Sequence, residues 1–176
     1  MGVRVSVTGT RGRAATKGKR MIRVLFVCLG NICRSPMAEA VFRHKVRAAG
    51  LEEQIEADSA GIGDWHVGGP AHAGTRKLLA ENEIDCDHCA RQIAREDFDR
   101  FDYILTMDEQ NLSDVRALAR RNPGKAKIGP LMEFAPRAGV GVVPDPYYDG
   151  RFAEVYALVG EATDGLLDHI RREHGL

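Results

Sequence analysis

The period of the hydrophobic pattern changes along the chain, and each change marks an element. Ile22 to Cys28 is a largely apolar run without helical spacing, as expected for a central strand covered on both faces. From Met37 to Ala49 the apolar positions Ala38, Val41, Phe42, Val46 and Ala49 fall at helical spacing, and Gly50 ends the stretch. Gln54 to Ser59 can form a second strand. Residues 60–70 are then too rich in glycine to be regular, and they form a candidate wall for a site. A helix is expected from Pro70 to about Asn82, a short helical turn over Arg95 to Phe101, a third strand over Asp102 to Met107, and a helix from Asp108 to Arg121 that Asn122-Pro123-Gly124 stops. Lys125 to Ile128 fits a short fourth strand, followed by a loop to Tyr148 and a terminal helix from about Phe152 to His174. Strands separated by helices predict an α/β single domain: a central four-stranded parallel sheet with helices on both faces. Such sheets bind ligands beyond the carboxyl ends of their strands, where Cys28 stands.

Composition narrows the class. The 176 residues, 44% of them apolar, suit one globular domain. Formal charge is zero overall, but residues 1–20 hold six Lys or Arg and no acid, leaving 19 basic and 25 acidic residues in 21–176. A mildly acidic folded part argues against a nucleic-acid binder, and no apolar run approaches the length of a membrane span. Residues 1–20 read as a basic, disordered leader lacking the hydrophobic stretch of a secretory signal, with residues 21–176 as the functional domain. Met21, immediately before the first strand, is an expected natural start; a basic arm touching anionic partners is the alternative reading of the leader. Four cysteines without an export signal point to free thiols and a cytoplasmic location. Cys86-Asp87-His88-Cys89 has the spacing of a redox motif or half a zinc site, but no second ligand pair follows, and neither metal nor cofactor is expected.

Chemistry concentrates after the first strand, in Val27-Cys28-Leu29-Gly30-Asn31-Ile32-Cys33-Arg34-Ser35-Pro36. Gly30 takes left-handed angles without a Cβ penalty and Asn31 tolerates them, so the loop can curl until consecutive N–H groups point inward and cradle an anion. Ser35 is a good N-cap and Pro36 suits the first helical position, so a helix start should turn its positive end to the same hollow. That environment favours Cys28 as thiolate, the nucleophilic form. Arg34 can reach back with a planar fork that matches two phosphate oxygens. The spacing alone proves little, because Cys89 and Arg95 repeat it without a preceding strand or a Gly-Asn loop. A lone Cys28 would read as a small buried hydrophobe; the loop, Arg34 and the Ser-Pro pair reverse that. Cys33, in the same curl, is placed to trap a sulfenic acid on Cys28 as a reversible disulfide, or else merely packs under the loop.

A cysteinyl-phosphate mechanism also needs a proton for the departing oxygen. Asp145 in Pro144-Asp145-Pro146-Tyr147-Tyr148 is the leading source, with Asp64 and Asp108 as alternatives, although alone it reads as an ordinary turn residue. Together these residues resemble the low-molecular-weight protein tyrosine phosphatases. Val27 to Glu39 resembles that family's phosphate-loop signature and Asp145-Pro146-Tyr147-Tyr148 its general-acid motif. Further similarity lies at Asp58-Ser59-Ala60-Gly61, Asp64-Trp65, Ala90-Arg91-Gln92 and Phe101 to Leu105. The resemblance, which covers Met21 to the end, implies a flavodoxin/Rossmann-like fold and hydrolysis of phosphotyrosine in proteins. It implies Cys28 as nucleophile, Arg34 with Leu29, Gly30, Asn31, Ile32 and Cys33 as the phosphate site, and Asp145 as acid and then base. Asn31, Ser35 and Ser59 would brace the loop, and Trp65, Tyr147 and Tyr148 would line the cleft. No metal is required, and the expected state is a monomer or weak dimer. One departure is Asn82-Glu83, where relatives often carry His-Gly; Asn82 could serve there as a left-handed cap.

Three other readings compete. Arsenate reductases of similar architecture share the cysteine loop but need a thiol just after the third strand, where this chain has Thr106-Met107-Asp108. A related branch removes phosphate from arginine and typically has Thr where Ile32 stands. A phospho-motif binding module would not need Cys28, Arg34 and Asp145 together.

Overall fold

Side chains of β1 (Ile22–Cys28) alternate between two cores, which makes this strand the centre of the molecule. Val24, Phe26 and Cys28 face one cluster; Leu25 and Val27 face the other. In this computed structural model, which describes residues 20–176, β1 pairs in parallel with β2 (Ile55–Gly61) on one side and β3 (Tyr103–Thr106) on the other. The fourth strand, β4 (Lys127–Pro130), joins β3, giving the order β2-β1-β3-β4. Helices α1 (Arg34–Ala48), α2 (Ala73–Glu81) and α6 (Phe152–His174) cover the first cluster, and α3 (Asp97–Arg100) and α4 (Glu109–Arg121) cover the second. A single turn, α5 (Pro146–Asp149), lies beyond the strand ends, with two 3₁₀ turns at Leu131–Phe134 and Pro136–Ala138 before it. The four-stranded parallel sheet with helices on both faces is thus the expected one. The leader expected over residues 1–20 lies, apart from Arg20, outside the described residues.

Local departures have identifiable causes. Helix α1 begins at Arg34 rather than Met37, and its N-cap is Cys33 with no side-chain cap; Ser35 sits inside the first turn because its hydroxyl is drawn to Cys28 and Asn31. Pro36 still falls among the first-turn positions whose N–H has no intrahelical partner. Only Asn31, with φ of 56°, makes the left-handed step in the loop, so Gly30 is there for space: a Cβ on it would lie 3.1 Å from His66 Cδ2. Helix α2 starts at Ala73 and not Pro70, with His72 as cap. At its other end Asn82 keeps a φ of −102°, and Glu83 takes the left-handed position at 57°. The segment around Cys89 is irregular, and Gln92 bridges to Gly61.

Candidate active site

The carboxyl end of β1 brings Cys28 to the floor of a cleft of about 250 Å³, 2% exposed. Beyond it the loop is pulled outward by its carbonyls. Cys28 O and Leu29 O accept from the Ile62 and Gly63 amides, Ile32 O from the His72 amide, Asn31 O from His88 Nε2, and Cys33 O from the Thr75 hydroxyl. Among the described residues, the amides from Leu29 to Arg34 donate to no protein acceptor. With the carbonyls anchored outside, such a curl leaves its N–H groups for an anion.

The loop's shape is set by a buried polar chain. Asn31 Nδ2 donates to Ser35 Oγ and to Ser59 Oγ, both at 2.9 Å, while Asn31 Oδ1 accepts from the Arg91 amide at 2.9 Å. These contacts hold the one left-handed residue in place. Ser35 Oγ, which accepts from Asn31, lies 3.0 Å from Cys28 Sγ, where its proton can point, with Ala60 O at 3.5 Å as the more distant acceptor. Ser59 donates onward to Glu39 Oε2 at 2.6 Å. Burial works against a charge on Glu39, but the His88 and Ser59 hydrogen bonds, with the charges of His88 and Arg43, outweigh it and pull its pKa below the carboxylate norm. Sequence reasoning gave Glu39, His88 and Arg91 no role. Glu39 lies one turn after Ser35, on the same helix face; for His88 and Arg91, on an aperiodic segment, there was no such signal.

Arg34 is 3% exposed, with its guanidinium held from three directions. Nη1 donates to Asp108 Oδ2 at 2.7 Å and Val143 O at 3.1 Å, and Nη2 to Asp145 Oδ2 at 3.2 Å. Burial opposes its charge, yet Cys28 as thiolate, Asp108 and Asp145 more than offset that and raise its pKa. Asp108 is the N-cap of α4, where Oδ1 accepts the Asn111 amide at 2.7 Å, so both its oxygens are engaged. It is therefore an anchor for Arg34 and not the spare acid it could have been from sequence; Asp64, the other alternative, is exposed and outside the cleft lining.

The walls are aromatic. Trp65 and His66, from the loop after β2, and Tyr147 and Tyr148, beside Asp145, line the cleft. Trp65 is 69% and Tyr148 85% exposed, as fits groups waiting for a ligand at the rim. Gly63 lets the Trp65 ring fold back, since a Cβ there would overlap it at 1.7 Å. Cys28, the phosphate-loop residues, Arg34, Asp145 and the three aromatic residues thus meet in one place. His66 was missed, because nothing in a glycine-rich loop tells which side chain turns inward. Cys33 also lines the cleft, and burial, then the negative charges of Cys28 and Asp145, push its thiol up to about 12 against the pull of Arg34. Among the described residues, no group of three or more His, Cys, Asp or Glu side chains is placed to hold a metal ion.

Residues 23–175 match the family described as low molecular weight phosphotyrosine protein phosphatase. The chain is 47% identical over 157 residues to the Bacillus subtilis low molecular weight protein-tyrosine-phosphatase YfkJ, covering 89% of this chain and 100% of that one. The YfkJ crystal structure superposes with a TM-score of 0.83 over 87% of this chain and 96% of its own. A low molecular weight phosphotyrosine protein phosphatase of Schizosaccharomyces pombe is 43% identical, over 85% of this chain and 97% of that one. The Drosophila arginine phosphatase structure is similar at a TM-score of 0.82 and 35% identity, covering 85% and 98%.

Proposed function

The chain belongs to the low molecular weight protein-tyrosine-phosphatase family, hydrolases of phosphate monoesters, and on that premise we propose that its cleft hydrolyses protein phosphotyrosine through a cysteinyl-phosphate on Cys28. One observation carries the reading: Cys28, the unengaged loop amides, Arg34 and Asp145 converge in a single aromatic-walled cleft. The phosphate oxygens take the N–H groups of Leu29 to Arg34 and the Arg34 fork, which exchanges Asp145 for the substrate. Cys28 Sγ then attacks phosphorus, the P–O bond to tyrosine breaks, and Asp145 gives its proton to the departing phenolate. In the second step Asp145 takes a proton from water as the water oxygen attacks phosphorus; the S–P bond breaks, releasing phosphate and the thiolate. Ser35, donating toward Sγ, stabilises that thiolate in both steps, with Asn31 and Ser59 keeping Ser35 in place.

The aromatic lining of the cleft supports an aromatic ester. Trp65 and Tyr147 both line the cleft that ends at Cys28, apolar walls of the kind a tyrosine ring needs to bring its phosphorus to the thiolate. Phosphoarginine, the alternative that the Drosophila arginine phosphatase neighbour raises, is served less well, because the Ile32 side chain in the cleft lining offers no acceptor for its N–H groups. An arsenate reductase relay lacks its thiol after β3, where Asp108 anchors Arg34 instead. The four unpaired cysteines fit a reducing cytoplasm, and no helix among the described residues is long and apolar enough to cross a membrane. Residues 21–176 would be the whole catalytic domain, acting on a phosphotyrosine-containing protein as a monomer or weak dimer.

The test is turnover of a phosphotyrosine peptide. The parent should release phosphate, Cys28→Ser should not, and iodoacetate should inactivate the parent unless inorganic phosphate is present. Undiminished turnover after Cys28 is alkylated would overturn the assignment.

A further inference from the structure

His72 has no part in the chemistry above, yet it joins the phosphate loop, α2, the acid loop and α6. Its backbone N–H donates to Ile32 O at 2.7 Å, and its Nδ1 accepts the Gly74 amide at 3.0 Å, capping α2. The ring stacks on Phe152, at the head of α6, with centroids 5.1 Å apart and planes 18° from parallel. It meets Tyr147 edge-on at 5.8 Å and 71°, and Tyr147 meets Tyr148 edge-on at 5.0 Å and 80°. Four rings thus run in a row from the C-terminal helix to the mouth of the cleft. Gly74 makes room for the row, because a Cβ there would come within 2.5 Å of the Phe152 ring.

Tyr147 needs such support. It sits on α5, one turn of four residues, and is half exposed. Its neighbour Tyr148 is 85% exposed and too loosely held to fix it. His72 is half-buried, clamped through both backbone and ring, and is the better-anchored of the two rings against Tyr147. Asn, Asp, Ser or Thr would cap α2 as well or better than His, but none of them carries a ring. Capping alone does not explain a histidine here; capping and stacking together do.

We propose that His72 is a positioning residue that holds Tyr147 as the cleft wall, and so sets affinity for the aryl ring of a substrate without touching its phosphate. This rests on the phosphatase reading, since the wall matters only if a ring enters. The two duties of His72 separate by substitution: His72→Asn keeps a capping side chain and removes the ring, whereas His72→Phe keeps the ring and removes the cap. With a phosphotyrosine peptide, His72→Asn should raise KM about three- to tenfold, the range expected from losing one aromatic pair, and leave kcat within about twofold. Its inhibition constant for inorganic phosphate should stay near the parent's. His72→Phe should keep the parent KM and melt lower. The proposal is overturned if His72→Asn leaves KM unchanged, if phosphate inhibition weakens in step with KM, or if His72→Phe raises KM as much as His72→Asn does. A parent without turnover overturns the phosphatase reading as well; an active parent with any of those variant results overturns only the role of His72.

Discussion

Before any substrate arrives, Arg34 is bound to two carboxylates of different kinds. Asp108 lies 2.7 Å away and is locked as a helix cap, so it stays; Asp145 lies 3.2 Å away at the start of α5 and can be exchanged for phosphate oxygens. On the proposed mechanism, that exchange frees Asp145 to face the leaving oxygen. Asp145→Asn should therefore lower turnover of phosphotyrosine peptides by about 10²–10⁴-fold, the usual worth of a general acid. An aryl phosphate whose phenol is far more acidic than tyrosine's, at about 10, should suffer less. The alkaline limb of the first-step pH profile should disappear with the carboxyl. Equal losses on both leaving groups, with the profile unchanged, would make Asp145 structural. Cys33 calls for a separate measurement. Burial, then the negative charges of Cys28 and Asp145, hold its thiol up to about 12, and oxidation of Cys28 to a neutral sulfenic acid removes one of those charges. If Cys33 attacks that sulfur, water is expelled and a disulfide forms that dithiothreitol reopens. Recovery from peroxide by dithiothreitol should be substantial in the parent and much smaller in Cys33→Ser; equal recovery would leave Cys33 a packing residue.

Among the elements, those with a strong internal period were legible in the sequence. Strand β1 is found as expected at Ile22–Cys28, and α6, closed by Gly175 in the left-handed region, at Phe152–His174. What was not legible depends on side-chain partners that the hydrophobic period does not show. Ser35 looks like a cap, but Asn31 and Cys28 claim its hydroxyl; His72 does not look like a cap, yet its ring is held by Phe152, 80 residues away in sequence. The same holds in the site: Cys28, Arg34 and Asp145 declare themselves by motif, while Asp108, His88 and Arg91 act through contacts no local pattern encodes. The end of α2 offers an element-scale test. Glu83 is exposed and takes φ of 57°, which costs a residue with a Cβ roughly 1–2 kcal/mol, part of it returned because glycine loses more entropy on folding. Glu83→Gly should thus stabilise the protein by about 0.5–1 kcal/mol, raising the urea midpoint without changing the slope. A lower midpoint would mean that Glu83 makes a compensating contact.

Across the whole molecule, two carboxylates with depressed pKa values sit at opposite edges of the sheet. Glu39 ties α1 to the end of β2 through Ser59. Glu173, near the end of α6, is bonded to Tyr103 of β3 and Lys127 of β4, and the Lys127 and Tyr103 hydrogen bonds bring it to about 2. A carboxylate whose folded pKa is lowered contributes stability that is fully present above its unfolded value, about 4.3 for Glu, and lost as pH falls through the folded value. Both groups should therefore steepen the loss of stability below about pH 4.5, for Glu173 down to about 2. Glu173 has a third of its side chain exposed, so water screens its pairs and its share is the smaller, while Glu39 is 7% exposed. Glu39→Gln should accordingly flatten stability against pH in that window more than Glu173→Gln. Only Glu39→Gln should also slow turnover at neutral pH, because Ser59 passes its loss to Asn31, the residue that shapes the phosphate loop. Denaturation followed from pH 7 to pH 2, with phosphotyrosine turnover of both variants at pH 7, checks this; a Glu173→Gln variant as slow as Glu39→Gln would mean that the site senses general stability rather than this particular chain of hydrogen bonds.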